Sequence, residues 1–277
     1  MLTIRWNEIE TGWAMAAASN KDGHGHLVGR RPGVALITYD VAHKKTQDVL
    51  FRLIWRDCFN LTLVITSFKS RPSRDVLFQH RPSQLTGPAS LSLASRFGLN
   101  TLSIEDWRSF HGDFEFFLLC GSGLIDPEFC ETARIVNCHP GLIPQSRGLD
   151  AFKWSIHDDL PIGNTLHFID HQVDLGEVFH QQITDIFPED SLASFAERHY
   201  MAEIHLLSHF DSYLQEGTIL DFAMGDPRKR MPRETEALLV HSFDVYKEKH
   251  TRDLKNYQAG RSATTRAKAG QARRLKR

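Results

Sequence analysis

Short apolar runs recur along this chain with helix-length amphipathic stretches between them, and that alternation limits the fold more than any other feature. VALITY (34–39) has the composition of a buried strand. A helical pattern over 46–57 then puts Val49, Leu50, Leu53 and Ile54 on one face, and LTLVITS (61–67) repeats the strand signal. Parallel strands need a crossover to join them, and this order supplies one. FEFFLLC (114–120) and ARIVNCH (133–139) read as further strands, the first a central one. The stretch 71–88 is predicted to be loop or broken helix, and PASLSLASRFG (88–98) a helix ended by Gly98. A helix over 149–157, strands TLHFID (165–170) and EVFHQQI (177–183), and a long amphipathic helix over 191–215 follow. The pattern predicts an α/β fold with a mostly parallel, doubly wound sheet and a hairpin-like pair near its end.

Four sections are expected. Residues 1–32 are an irregular lead-in, and 33–222 form the main α/β domain. Residues 223–260 are a short, mainly helical extension entered through PRKRMPRE, with a helix over 234–250, and 261–277 are a tail. That tail carries Arg261, Arg266, Lys268, Arg273, Arg274, Lys276 and Arg277 and no acid, so the formal net charge of −1 leaves the rest of the chain acidic. Its Ala, Gly, Ser and Thr filler predicts disorder rather than a nucleic-acid or membrane contact. A hydrophobic content of 41% suits a folded core in 277 residues. No run reaches the roughly 18 apolar residues of a membrane span, and the start lacks the pattern of a secretion signal, which makes the cytoplasm the expected location. Cys58, Cys120, Cys130 and Cys138 form no CxxC pair and read as buried reduced thiols.

Chemistry concentrates at the strand ends. FEFFLLC is followed by GSGLIDPEF, ARIV by NCHPGLIPQSRG, and TLHFI by DHQVDLGE. Ligands of doubly wound sheets bind outside the carboxyl ends of the strands, and the three segments gather at one edge if their strands are parallel neighbours. Singly, Asn137 reads as a turn former, His139 as a hydrogen-bonding residue and Asp174 as a turn closer. Together an amide, an imidazole and a carboxylate make an acyl-transfer set of oxyanion stabiliser, base and orienting charge. A metal site on His167, Asp170 and His171 is the weaker alternative, because the two histidines share a strand face about 13 Å apart.

NCHPGLIPQSRG resembles the N-x-H-P-x-x-L-P-x-x-R-G motif of the folate-dependent formyltransferases, and DHQVDLGE resembles that family's D-x-x-x-D-x-G motif. The order and the gap between His139 and Asp174 also fit, and the resemblance covers about 33–222. It implies a Rossmann-like sheet of the formyltransferase type and an N-formyltransferase drawing on 10-formyltetrahydrofolate, with no metal. Asn137 would hold the formyl oxygen, His139 would assist proton movement, and Asp174 would hold and polarise that histidine or a water. The pterin is expected against Gly123, Leu124 and Ile125 on one side and Ile169, Asp170 and Val173 on the other. Arg147 either touches ligand or braces the turn.

The acceptor is inferred by elimination among the family's known types. Where the family's glycinamide ribonucleotide enzymes have a Gly-Ser-rich phosphate loop, this chain has TYDVAHKKTQDVL. The stretch after Asp226 is too short for the RNA-binding barrel of methionyl-tRNA formyltransferases, and 32 leading residues are too few for the regulatory domain of the related hydrolases. A small amine remains, and a nucleotide-linked amino sugar used for surface polysaccharide is the expected one. Nucleic acid is not the expected partner, a homodimer is left open, and His43, Lys44 and Lys45 are either phosphate contacts or a solvated turn. An inactive folate-binding module with the same fold is the competing class.

Overall fold

The computed structural model describes residues 31–70, 76–170, 176–214 and 226–251. Its centre is one sheet of seven strands, ordered β3-β2-β1-β4-β5-β6-β7. The strands are β1 (Gly33–Tyr39), β2 (Asn60–Thr66), β3 (Asn100–Ser103), β4 (Phe116–Leu119), β5 (Ile135–His139), β6 (Gly163–Phe168) and β7 (Val178–Ile183). Neighbours from β3 to β5 are parallel, while β6 is antiparallel to β5 and β7 to β6. The expected α/β architecture with a mostly parallel sheet is therefore what the chain adopts.

The central strands β1 and β4 are apolar because both faces are covered. On one face α1 (Lys44–Arg56) and α5 (Leu192–Ser208) pack Val49, Leu50, Leu53, Ile204 and Leu207 over Leu36, Leu118 and Val136. On the other, Trp107, Phe110 and Phe129 cover Ile37, Phe117 and Ile135. Strand β3 escapes a sequence reading because it is an edge strand of four residues whose side chains are mostly exposed, leaving no apolar run to detect. The helix predicted over 191–215 is two pieces. Ser191 and Ser194 form a capping box at its start, α5 stops at His209, and α6 (Phe210–Leu214) follows. Gly98, with φ of 62°, ends α2 (Ser90–Phe97) as expected.

One expectation needs correction. Strand β6 runs antiparallel to β5, with Val136 opposite Phe168 and His139 opposite Thr165. The segment after β6 therefore leaves the sheet where β5 begins, and the Ile169 N–H donates to the Ile135 carbonyl at 2.9 Å. The reason lies between the strands. After α3 (Pro127–Thr132) and β5, the only helix before β6 is α4 (Ala151–His157), whose 7 residues rise about 10 Å, too little to carry the chain back down the sheet. The chain re-enters at the edge it left.

The final described helix, α7, covers 233–251. Met231, Leu239, Phe243 and Tyr246 join Phe152, Ile156 and Phe195 in one buried cluster, so this segment packs directly on α4 and α5. The basic residues of 261–277 lie outside the described residues. Among the described residues no helix is long and apolar enough to cross a membrane.

Candidate active site

Asn137 and His139 lie two apart on β5, so both side chains project from one face at the carboxyl end of the parallel strands. Both line a cavity of about 640 Å³. His139 is 3% exposed, and its Nε2 lies 2.6 Å from the Ser146 carbonyl oxygen. A carbonyl only accepts, so Nε2 carries a proton and donates it to Ser146. Asn137 is fixed differently. His167 stands directly across the β5–β6 pair and is fully buried, and its Nε2 is 3.1 Å from Asn137 Nδ2. The amide N–H donates to that ring nitrogen, which orients the whole side chain.

The turn after His139 is held by its neighbours. Thr165 Oγ1 donates to the Gly141 carbonyl at 2.7 Å and accepts from the Ile143 N–H at 3.1 Å, while Gln181 Nε2 donates to the Ile143 carbonyl at 2.7 Å. Ser146 Oγ pairs with Ser155 Oγ of α4 at 2.5 Å. A Cβ on Gly141 would stand 2.3 Å from the Ser146 carbonyl oxygen and 2.8 Å from His139 Nε2, so only glycine allows the chain to fold back on its own histidine. At the far end Gly148 has φ of 90°, and a Cβ there would meet Arg228 backbone at 2.3 Å. The 226–231 segment runs against it, with Arg228 N donating to the Arg147 carbonyl and Leu149 N to the Arg228 carbonyl, both at 2.9 Å. Arg147 is buried and does not line the cavity.

The opposite wall is charged. Lys45, in the first turn of α1, reaches Glu203 of α5 at 2.9 Å, with side chains 8% and 0% exposed, and Arg81 pairs with the other oxygen of the same carboxylate. The Lys45 contact is an ion pair without the direction of a hydrogen bond, since Glu203 Oε1 has no hydrogen-bond donor. Burial, with Arg81 nearby, lowers the Lys45 ammonium to about 8, and burial with Lys45 and Arg81 lowers His43 to about 4. Lys44 instead pairs with Asp48 on the helix surface. Lys153 and Arg230 also line the cavity.

Of the other residues singled out in the sequence, Gly123, Leu124, Ile125, Ile169 and Asp170 do not line this cavity. Leu124 is 96% exposed, whereas Ile125 and Ile169 both pack against the cluster around Phe129 and Ile135. Val173, Asp174 and His171 lie outside the described residues. Cys120 and Cys138 are buried thiols that burial pushes up to about 12. Among the described residues no group of His, Cys, Asp or Glu is set to hold a metal ion. The pairing of His167 with Asn137 depends on antiparallel register, and the Lys45–Glu203–Arg81 cluster joins residues far apart in the chain, so neither could be read from the sequence.

A family model described as formyl transferase matches residues 116–210. The phosphoribosylglycinamide formyltransferase of Haemophilus influenzae is 28% identical over 149 residues, covering 50% of this chain and 68% of that one. The trifunctional purine biosynthetic protein adenosine-3 of Chironomus tentans is 38% identical over 71 residues, 25% of this chain and only 5% of that protein. Among solved structures, a sugar N-formyltransferase from a Shewanella species has a TM-score of 0.53 at 19% identity, covering 75% of this chain and 86% of its own. A 4-N formyltransferase from Francisella tularensis has a TM-score of 0.53 at 18% identity, covering 76% and 87%. At such identities the structural likeness is one of fold. Residues 116–210, which include the NCHPGLIPQSRG turn, thus match the formyl transferase family model, and the fold around them is the one seen in solved formyltransferases.

Proposed function

We propose that this protein transfers the formyl group of 10-formyltetrahydrofolate to the primary amine of a small, anionic acceptor, a nucleotide-linked amino sugar. The observation that carries the reading is one cavity with Asn137 and His139 on one side and Lys45, Arg81, Lys153 and Arg230 on the other. An amine attacks the formyl carbon, and negative charge gathers on the formyl oxygen. The Asn137 amide, held from behind by His167, donates to that oxygen, a contact typically worth ~10²–10³-fold in rate. His139 takes up the proton released by the amine and passes it to the departing folate N10, a role worth ~10²–10⁴-fold. Asp174 is assigned to polarise the histidine or a water, and Gly123, Leu124, Ile125, Ile169 and Asp170, which do not line this cavity, are assigned to the pterin together with Val173. The cations match the phosphates of the acceptor.

The Haemophilus relative is named for phosphoribosylglycinamide, which makes that ribose phosphate the second reading. The turn from β1 into α1 speaks for the first. Tyr39 and His43 pack edge to face there at 5.3 Å, and the Tyr39 hydroxyl donates to the Ser122 carbonyl at 2.5 Å. Side chains fill the place where bare backbone would otherwise approach a phosphate. Incubating the protein with 10-formyltetrahydrofolate and a panel of amines, followed by mass spectrometry, tests both. Formylation of a nucleotide-linked amino sugar, with glycinamide ribonucleotide and methionyl-tRNA unmodified, is the expected result. Modification of glycinamide ribonucleotide alone would overturn the sugar acceptor and keep formyl transfer.

A further inference from the structure

The cationic wall is built on a carboxylate that lies outside the cavity. Glu236, in the first turn of α7, is fully buried. One oxygen, Oε1, accepts from Lys153 Nζ at 2.6 Å, and the other, Oε2, accepts from the Leu77 N–H at 2.9 Å. Lys153 belongs to α4, which follows the Asn137–Gly148 motif. Leu77 begins the segment that brings Phe78, His80 and Arg81 to the cavity. That segment lies over α4, where the His80 ring stacks on Phe152 at 5.7 Å with planes 9° apart, and Arg81 ends on Glu203. Glu236 thus joins the α4 side and the 77–81 side of the cavity, and α7 that carries it is anchored by Leu239 and Phe243 in the cluster with Phe152.

A buried ion pair is an expensive way to fill this space, since an apolar pair of equal volume often serves stability as well or better. What the carboxylate adds is direction, because two oxygens at fixed angles set where two chain segments sit. We infer that Glu236 is a positioning residue for the acceptor: it fixes the 77–81 segment on α4 and thereby sets where Arg81 presents its guanidinium. This rests on the anionic acceptor proposed above. Glu236 touches neither substrate; it acts through Leu77 and Lys153, so α7 is part of the specificity apparatus.

The test uses the full chain, with pyrophosphate as the anionic probe and 5-formyltetrahydrofolate as the donor probe, both followed by calorimetry. Two double variants remove the buried charges together. Lys153→Met with Glu236→Gln keeps an oxygen for the Leu77 N–H, and Lys153→Met with Glu236→Leu does not. The first should bind pyrophosphate more weakly than the wild type because it lacks the Lys153 ammonium, and the second ~10-fold more weakly than the first, as expected for losing the hydrogen bond that places Leu77. Both should bind the folate unchanged, which a general loss of structure would not allow. Equal pyrophosphate affinity in the two variants would overturn the role of Glu236, and so would a wild type that binds no pyrophosphate. Should neither variant fold, hydrogen exchange on the wild type decides. Pyrophosphate should slow exchange of the amides of 77–84 and the folate should not; absence of that protection overturns the inference. A wild type that bound pyrophosphate but no folate would refute formyl transfer alone.

Discussion

The two sides of the cavity are built in opposite ways. The motif side, 137–148, is one continuous stretch in which Asn137, His139, Gly141 and Ser146 meet because they are near in the chain, braced by Thr165, Gln181 and His167 of the adjoining strands. The charged side is assembled from α1, the 77–84 segment, α4, α5 and 226–236, with no two of its ionic groups supplied by neighbouring residues. A reaction shared by many acceptors can be written into one local turn. Recognition of a particular acceptor needs groups that only tertiary packing brings together, and these are free to differ between relatives that share the turn.

If that division holds, changes on the motif side should lower turnover for every acceptor, and changes on the charged side should alter acceptor affinity. The largest effect expected is from His139→Asn, which should reduce kcat by at least ~10²-fold, the loss of a positioned acid or base, while folate binding persists. Steady-state kinetics with an amine found in the screen checks it. Retention of more than about a tenth of wild-type kcat would remove His139 from proton transfer.

Next is Gly148→Ala, placed where the two regions touch. The substitution forces a side chain into a φ of 90° and against Arg228 backbone 2.3 Å away. A stability loss of about 1–3 kcal/mol is expected, read from urea unfolding. Because 226–231 must move, acceptor KM should rise more than kcat falls. A drop in kcat alone would mean that the two sides are not separable at Gly148.

Third, Arg81→Gln leaves Glu203 with Lys45 as its one remaining partner cation in the cluster and takes a guanidinium from the wall. Acceptor KM should rise ~10-fold with kcat nearly unchanged, the pattern of lost uniform binding. Equal effects on kcat for all acceptors would place Arg81 with the motif side and undo the comparison.

The same contrast governs how far the sequence could be read. Strands β1, β2, β4 and β5 were legible because an apolar run reports burial on two faces without reference to any partner. Asn137 and His139 were legible because their spacing is local. The antiparallel entry of β6 was not, since nothing in TLHFID records direction, and with it went the pairing of His167 to Asn137. Lys45 read equally well as a solvated turn because its partner, Glu203, lies on the last long helix of the sheet domain. Lys153 and Glu236 carry no signal at all; each is an ordinary helix residue until α4 and α7 are packed.

The smallest expected effect is one of pH, and each region contributes a group to it. His43 stands at the charged wall, where burial, then Lys45 and Arg81, holds its pKa near about 4. His199 supports the motif from α5, with Nδ1 2.9 Å from Thr184 Oγ1, and burial, then Arg81, lowers it to about 3 against a weaker opposing pull from the Pro140 carbonyl. Both values lie below the ordinary 6.5, so between pH 6.5 and about 4 the unfolded chain binds protons that the folded chain does not. Stability from these two groups is therefore complete above pH 6.5 and is lost as pH falls towards 4. From pH 7 to 5.5 each should cost about 1 kcal/mol, before most carboxylates begin to titrate. Urea unfolding of His43→Gln and His199→Gln at those two pH values checks this, since each variant should flatten the dependence by its own share. Arg81→Gln, which removes a cation that depresses both rings, should flatten it partly in a single step. If Arg81→Gln left the pH dependence as steep as in the wild type, the electrostatic link between the charged wall and the helix beneath the motif would be absent, and the two sides would be independent in stability as well as in chemistry.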